Sequence, residues 1–167
     1  MKITILYFSK TGNTEKAATY IKEGLLTAGD FDIRLMNLNQ PESVDSQFIN
    51  DSEAVIMGTP TYVASMCWQF KKWFDEDWSC QLGGKLGAAF ATANAIHGGG
   101  DIALQSMISH MLVRGMLTYS SGAGCGRPYI HLGPIGTGVN NGVEERKDFF
   151  ELFGKRVGEQ ALRLFQK

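Results

Sequence analysis

Two patterns of apolar and polar residues alternate along the chain. Runs of consecutive apolar residues, or strict alternation at 31–38, are typical of strands, and apolar residues spaced three or four positions apart are typical of amphipathic helices. Strands are predicted at residues 2–8, 31–38, 53–59, 85–93 and 116–120. Helices are predicted at 13–28, 65–78, 101–114 and 144–167, with one or two helical turns at 44–50. Residues 122–142 are glycine-rich with little periodicity, so we expect an ordered loop there.

This alternation predicts a doubly wound α/β fold. Strands separated by helices at this spacing pair in parallel through right-handed crossovers, which place helices on both faces of the sheet. Ligands of such folds bind at the carboxyl ends of the strands, where the strand order reverses. The loops at residues 9–14, 60–64 and 92–99 follow the first, third and fourth strands. We therefore expect these three loops to converge on one site.

Composition narrows the range of partners. The 167 residues are 44% hydrophobic and 20% charged, which suits a single domain spanning residues 1–167. The formal net charge of −1 gives no reason to expect a nucleic acid or a membrane as partner. Three widely spaced cysteines without a CxxC or Cys/His pattern argue against a disulfide or a metal site. The apolar start leads directly into a polar loop rather than a cleavage site, so a cytoplasmic protein is expected.

The first of the three loops has the chemistry of a phosphate site. Backbone N–H groups at a helix N-terminus suit an anion, Gly12 lets the backbone bend toward it, and short polar side chains can donate hydrogen bonds. The nucleotide motifs GxxxxGK[ST] and GxGxxG are both absent, which favours a terminal monophosphate. A simple helix cap after a strand is the alternative. The residues concerned are Ser9, Lys10, Thr11, Gly12, Asn13 and Thr14.

The loop sequence SKTGNT directly after the first strand resembles the FMN phosphate loop of flavodoxin-like proteins. The resemblance implies FMN as cofactor and a flavodoxin-like five-stranded parallel sheet of order 2-1-3-4-5. A phosphate loop for FMN, rather than a helix cap, requires that the other two loops can hold a flavin ring.

Those loops offer the groups that a flavin ring needs. Pro60 stiffens its turn, Tyr62 provides an aromatic wall, and Thr92 and Asn94 provide side-chain donors for the polar ring edge. His97 could donate to the flavin or to a bound acceptor, although an exposed loop histidine is an equal alternative. We assign catalytic roles to His97 and Tyr62. The residues expected to contact the ring and its chain are Pro60, Thr61, Tyr62, Val63, Thr92, Ala93, Asn94, His97, Gly98 and Gly99.

Two longer segments resemble one branch of the flavodoxin-like proteins, the NAD(P)H:quinone oxidoreductases named after a tryptophan-repressor-binding protein. GTPTYVASMCWQFKKWFD is similar to their GTPTxxxxMxxQxxxxxD, and FATANAIHGGGD to their F-x-(S/T)-x-x-x-x-GGGQE. The resemblance implies NAD(P)H as a possible electron donor. The phosphate loop departs from this branch and has the flavodoxin form, and Arg114 replaces a histidine associated with the branch's active site.

The leading hypothesis is an FMN-dependent oxidoreductase that uses NAD(P)H for two-electron reduction of quinone-like acceptors. The near-neutral charge supports it, since flavodoxins are strongly acidic as a family. The alternative is a flavodoxin that carries single electrons between redox partner proteins. A regulatory domain without flavin is a third hypothesis, because a fold does not fix a function. The partner is thus a small-molecule acceptor or a redox protein, and a homodimer or higher homo-oligomer is possible.

Overall fold

The computed structural model describes residues 1–139 and 141–166. Its strands are β1 Lys2–Tyr7, β2 Asp32–Asn37, β3 Ala54–Tyr62, β4 Ser65–Met66, β5 Leu86–Ala93, β6 Leu117–Thr118 and β7 Ile135–Thr137. Its helices are α1 Asn13–Ala28, α2 Ser46–Asp51, α3 Trp68–Glu76, α4 Gly100–Val113 and α5 Lys147–Phe165. Short 3-10 turns lie at Pro41–Ser43, Ala123–Cys125 and Glu144–Arg146. Position 140 of the predicted loop and position 167 of the predicted last helix lie outside the described residues.

The main sheet has the order β2-β1-β3-β5-β6, with all these neighbours parallel. Since β5 and β6 are the fourth and fifth strands of the predicted series, the expected 2-1-3-4-5 order and the α/β fold class are confirmed. The connection after β1 leads to β2 on one side of the sheet, and the connections after β3 lead to β5 on the other side. The loop after β1 therefore begins at the switch point of the strand order.

The fifth position of the sheet is occupied by two separate strands. Leu117–Thr118 pairs with the start of β5, and Ile135–Thr137 pairs with its end. Tyr119 and Pro134 still hydrogen-bond to β5, and the residues between them leave the sheet. The prediction of one continuous strand at 116–120 followed by a loop without strands was therefore wrong in this part. The sequence Ile-Gly-Thr is too short to show alternation, and glycine weakens its strand propensity.

Each face of the sheet carries its own hydrophobic core. Helices α1 and α5 cover one face, and α2, α3 and α4 cover the other. Two glycines bring α1 and α5 into backbone contact: a Cβ on Gly24 would lie 1.9 Å from the carbonyl oxygen of Glu151, and one on Gly154 would lie 2.1 Å from that of Ile21. None of the helices in the described ranges combines the length and apolar character needed to cross a membrane.

Candidate functional site

The three predicted loops meet at the carboxyl ends of the strands. The hydroxyls of Thr14 and Thr92 share a buried hydrogen bond of 2.8 Å, which joins the start of α1 to the end of β5. Pro60 on β3 is the register partner of Thr92. The backbone N–H of Gly138 donates to the carbonyl of Ala93 at 2.7 Å, so the chain following β7 joins the same edge. The structure thus brings all three loops together, as expected from the strand order.

The loops enclose a cavity of about 230 Å³. Every residue that lines it except Gly138 belongs to the set proposed from the sequence. The lining residues are Lys10, Thr11, Asn13, Thr14, Pro60, Thr61, Tyr62, Thr92, Ala93, Asn94 and Gly138. Side chains from three separate parts of the chain therefore face one space.

The loop after β1 is built to present backbone N–H groups to an anion. Gly12 caps α1 in the left-handed conformation, with a φ of 91°, and within residues 1–139 and 141–166 no side chain caps the first turn by accepting a hydrogen bond from it. Ser9 holds the loop in place: its hydroxyl accepts from the Gly12 N–H at 3.2 Å, and its own N–H donates to Oδ1 of Asn37 at 3.0 Å. Together with the exposed ammonium of Lys10, this arrangement favours a phosphate.

The remaining proposed residues lie around the cavity rather than in its walls. Ser9 and Gly12 set the backbone of the phosphate loop but do not line the cavity. Val63, His97 and Gly98 are exposed to solvent. Gly99 contacts the neighbouring turn, since a Cβ on it would lie 2.7 Å from the Cβ of Ala64. The loops after β3 and β5 therefore touch each other beside the cavity. The catalytic roles assigned to His97 and Tyr62 stay predictions.

Gly138 is the lining residue that the sequence did not identify. A Cβ on it would lie 2.8 Å from Nδ2 of Asn13 and 3.2 Å from Oδ1 of Asn94, so a larger residue would push between these two amides. The surrounding segment contains many glycines without periodicity, and its pairing with β5 depends on the short strand β7. No local signal distinguished Gly138 from its neighbours.

A tight hairpin forms the outer edge of the site. Tyr62 pairs with Ser65 and Thr61 with Met66, which leaves Val63 and Ala64 as a two-residue turn. Both have positive φ, 50° and 55°, as a type I′ turn requires, although neither is glycine. The predicted helix at 65–78 begins only at Trp68 because Ser65 and Met66 return along β3. Left-handed backbone at these two positions is strained.

The Thr61 hydroxyl and the Cys67 thiol, both near the hairpin, differ in their ability to interact with a ligand. The hydroxyl of Thr61 is buried in the wall of the cavity without a hydrogen-bond partner among the described residues, so a ligand could supply one. Burial raises the pKa of the Cys67 thiol above its usual value, which argues against a reactive thiolate there. Across residues 1–139 and 141–166, no three His, Cys, Asp or Glu side chains are grouped to hold a metal ion.

Known proteins resemble this chain over almost all of its length. The flavodoxin from Clostridium saccharobutylicum is 46% identical over 165 residues, which cover 99% of this chain and 100% of that protein. The NAD(P)H dehydrogenase (quinone) from Gluconacetobacter diazotrophicus is 32% identical over 136 residues, which cover 70% of this chain and 68% of the relative. The identity to the flavodoxin is thus higher and extends further.

The fold itself also has solved counterparts. The crystal structure of the flavodoxin, WrbA-like protein from Agrobacterium tumefaciens superposes with a TM-score of 0.77 at 22% identity, covering 97% of this chain and 98% of that one. Residues 5–104 match the family description Flavodoxin, and these residues include the phosphate loop and both ring loops. The chain therefore belongs to the flavodoxin family.

Proposed function

We propose that this protein binds FMN and carries single electrons between redox partner proteins. The observation that carries the proposal is the cavity at the switch point, in which a phosphate loop, Thr61 and Asn94 face one space. The 46% identity to a flavodoxin over the whole of both chains supports the same conclusion. The flavodoxin form of the loop SKTGNT agrees with it.

The residues present fit FMN group by group. The phosphate would be held by the N–H groups that open α1, with Lys10 and Thr11 beside them. The hydroxyl of Thr61, which has no hydrogen-bond partner among the residues that the structure describes, would pair with the polar part of the cofactor. Gly138 lies so close to the amides of Asn13 and Asn94 that a Cβ would press against both, so glycine at this position leaves the two amides in place to face the cofactor.

The cavity would enclose only part of the cofactor. Its volume of about 230 Å³ is below the range of roughly 300–1,000 Å³ that encloses a whole drug-sized ligand, so part of the cofactor would stay outside its walls. Bound FMN supplies a redox centre that takes up one or two electrons. The protein's part is to fix the phosphate end, exclude water from the inner side of the ring and leave one edge accessible to a partner.

The near-neutral charge does not exclude this function. It favoured the enzyme hypothesis because flavodoxins are acidic as a family. Net charge, however, governs how fast a charged partner is steered to the site rather than which reaction the site supports. We therefore expect association with redox partners to depend only weakly on ionic strength.

Two-electron reduction of quinones by NAD(P)H is the second candidate. Its support is the 32% identity to an NAD(P)H dehydrogenase (quinone) and the GTPTY and HGGG loops. Tyr62 and His97 would then contact the nicotinamide or the acceptor. The phosphate loop and the lower coverage of that relative place this function second.

Anaerobic mixing of the FMN-loaded protein with excess NADPH distinguishes the two functions. A carrier stays oxidised until a flavoprotein reductase is added, because the transfer requires a partner protein. Rapid bleaching by NADPH or NADH alone, followed by turnover with benzoquinone, would support the enzyme and overturn the carrier proposal. The visible absorption band of the flavin is the readout in both cases.

A further inference from the structure

A separate cavity lies between the second half of α5 and the segment that follows β6. It measures about 310 Å³, at the lower end of the range of roughly 300–1,000 Å³ for small-molecule pockets, and it shares no lining residue with the candidate FMN cavity. It lies toward the other end of β5, since the N–H of Tyr119 donates to the carbonyl of Gly87 near the start of that strand. Binding there therefore does not depend on the function assigned above.

Two guanidinium groups give this cavity a positive charge. Arg156 and Arg163 line it from α5. The acidic residue of its described lining, Glu159, pairs with Lys155 at 4.0 Å. Burial raises the pKa of the Tyr119 phenol, and the charges of both arginines act in the opposite direction, so both lie near this phenol. The cavity therefore favours an anion over a cation.

The charge of Arg156 is buried without a carboxylate partner. The residue is 9% exposed, and its terminal nitrogens donate to the hydroxyl of Ser121 and to the carbonyls of residues 125, 126 and 128. All four acceptors are neutral, and among the described residues no carboxylate forms a salt bridge with this guanidinium. Its Nε has no acceptor in that part of the chain and is not one of the atoms closed off from solvent, so it can still donate to an anion.

The same cavity contains an exposed thiol. Sγ of Cys125 lies 3.3 Å from the hydroxyl of Tyr119, which can donate a hydrogen bond to a thiolate and so favour the nucleophilic form. The other two cysteines, Cys67 and Cys80, are buried, and burial raises the pKa of both thiols. Cys125 is therefore the thiol that a small molecule in solvent can reach.

We propose that Cys125 undergoes thiol–disulfide exchange with small disulfides that carry carboxylates. The guanidinium groups of Arg156 and Arg163 bind a carboxylate and thereby hold the disulfide against Sγ. The thiolate of Cys125 attacks one sulfur, the S–S bond of the small molecule breaks, and a new S–S bond joins its acidic half to the protein. The other half leaves as a thiolate and takes up the proton that Cys125 released. The cysteine is oxidised and the departing half is reduced, so no other oxidant is required.

Three disulfides of similar length test this preference on the full chain, with excess FMN present to fill the other cavity. Dithiodipropionate is the anion, hydroxyethyl disulfide is the neutral reagent and cystamine is the cation. Mass spectrometry of acid-quenched samples gives the rate of mixed-disulfide formation. The rate with N-acetylcysteinamide, a small neutral thiol, corrects for the intrinsic reactivity of each reagent. We expect the corrected rate to be about fivefold faster for the anion, and about fivefold slower for the cation, than for the neutral disulfide.

Variants then assign the effect to named residues. Cys125→Ser should abolish the modification, and Arg163→Gln should lower the ratio of the anion rate to the cation rate about fivefold. Arg146→Gln removes the same charge from an exposed position before α5 and outside this cavity, and should leave the ratio unchanged. Equal corrected rates for the three reagents, modification that persists in Cys125→Ser, or equal ratios in the two arginine variants would each overturn the proposal. The comparison of reagents on the unaltered protein decides it even if a variant fails to fold.

Discussion

Single residues determine what the FMN cavity can accept. Gly138 lies too close to the amides of Asn13 and Asn94 for a Cβ to fit without displacing them, and Thr61 keeps a buried hydroxyl without a partner in the described part of the structure. Tyr62 contributes an aromatic wall that is 42% exposed, and burial raises the pKa of its phenol. Each of these properties belongs to a single residue, so point substitutions can test them one at a time.

Thr61→Val tests whether the unpartnered hydroxyl contacts the cofactor. The change keeps the branched shape and removes one hydrogen bond, so FMN affinity should fall about fivefold, equivalent to ~1 kcal/mol. Quenching of flavin fluorescence in a titration measures it. Thr118→Val, an exposed threonine on β6 at the other end of β5, is the control. Unchanged affinity in Thr61→Val, with both variants equally stable, would show that the hydroxyl does not contact FMN.

Tyr119 gives an alkaline pH dependence to stability. Burial and a hydrogen bond with the thiol of Cys125 raise its pKa to about 12 from the ordinary 10.0. Between these values the folded protein keeps a proton that the unfolded chain loses. The stabilisation is complete below about pH 10 and is lost as pH rises through about 12. Denaturant unfolding across this window should show a shallower decline in Tyr119→Phe. Parallel curves for the two proteins would contradict this assignment.

Ten of the residues that the sequence predicted for the site line one cavity. Polar residues between a buried strand and a helix identified Lys10 to Thr14, because the backbone N–H groups at a helix N-terminus suit an anion. Val63 and His97, predicted for the same site, are exposed and do not line the cavity, and their contact with a cofactor stays a prediction. The direction in which a loop side chain points depends on the type of turn. The sequence does not indicate the turn at Val63 and Ala64, because both have positive φ although neither is glycine.

Among the elements, the contact between α1 and α5 depends on glycine. The two helices approach so closely that Gly24 and Gly154 each lie against a carbonyl of the other helix. Helical propensity alone would favour alanine at both positions by about 1 kcal/mol. The packing of the helices therefore opposes their local preference.

Gly154→Ala should destabilise the protein by about 2 kcal/mol, because the new Cβ must displace the backbone carbonyl of Ile21. Gly124→Ala is the matched control, since a Cβ there meets nothing within 4 Å. Urea unfolding of both variants measures the difference in free energy. Equal stability of the two variants would mean that the helices do not touch through their backbones.

The split fifth strand shows where element prediction failed. Strand β7 contains only Ile135–Thr137 and takes its place through pairing with residues 91–93 of β5. Such pairing is a long-range property that three residues cannot encode as a periodic pattern. The long helices, by contrast, were recognisable because their apolar faces repeat over several turns.

At the scale of the whole molecule, the order of the strands determines where the site lies. The arrangement β2-β1-β3-β5-β6 brings three loops that are distant in sequence to one edge of the sheet. The alternation of strands and helices was enough to predict this convergence, since parallel crossovers leave few other topologies. The choice between carrier and enzyme was not encoded in the same way, because both functions use this edge.

The most direct test of the account compares FMN with riboflavin, which lacks the phosphate, in fluorescence titrations of the flavin-free protein. We predict one FMN per chain and riboflavin binding at least about 100-fold weaker, since charge-assisted hydrogen bonds at the start of α1 would be lost. Equal affinity for the two flavins, or no binding of either, would contradict the claim that this edge of the sheet holds FMN by its phosphate.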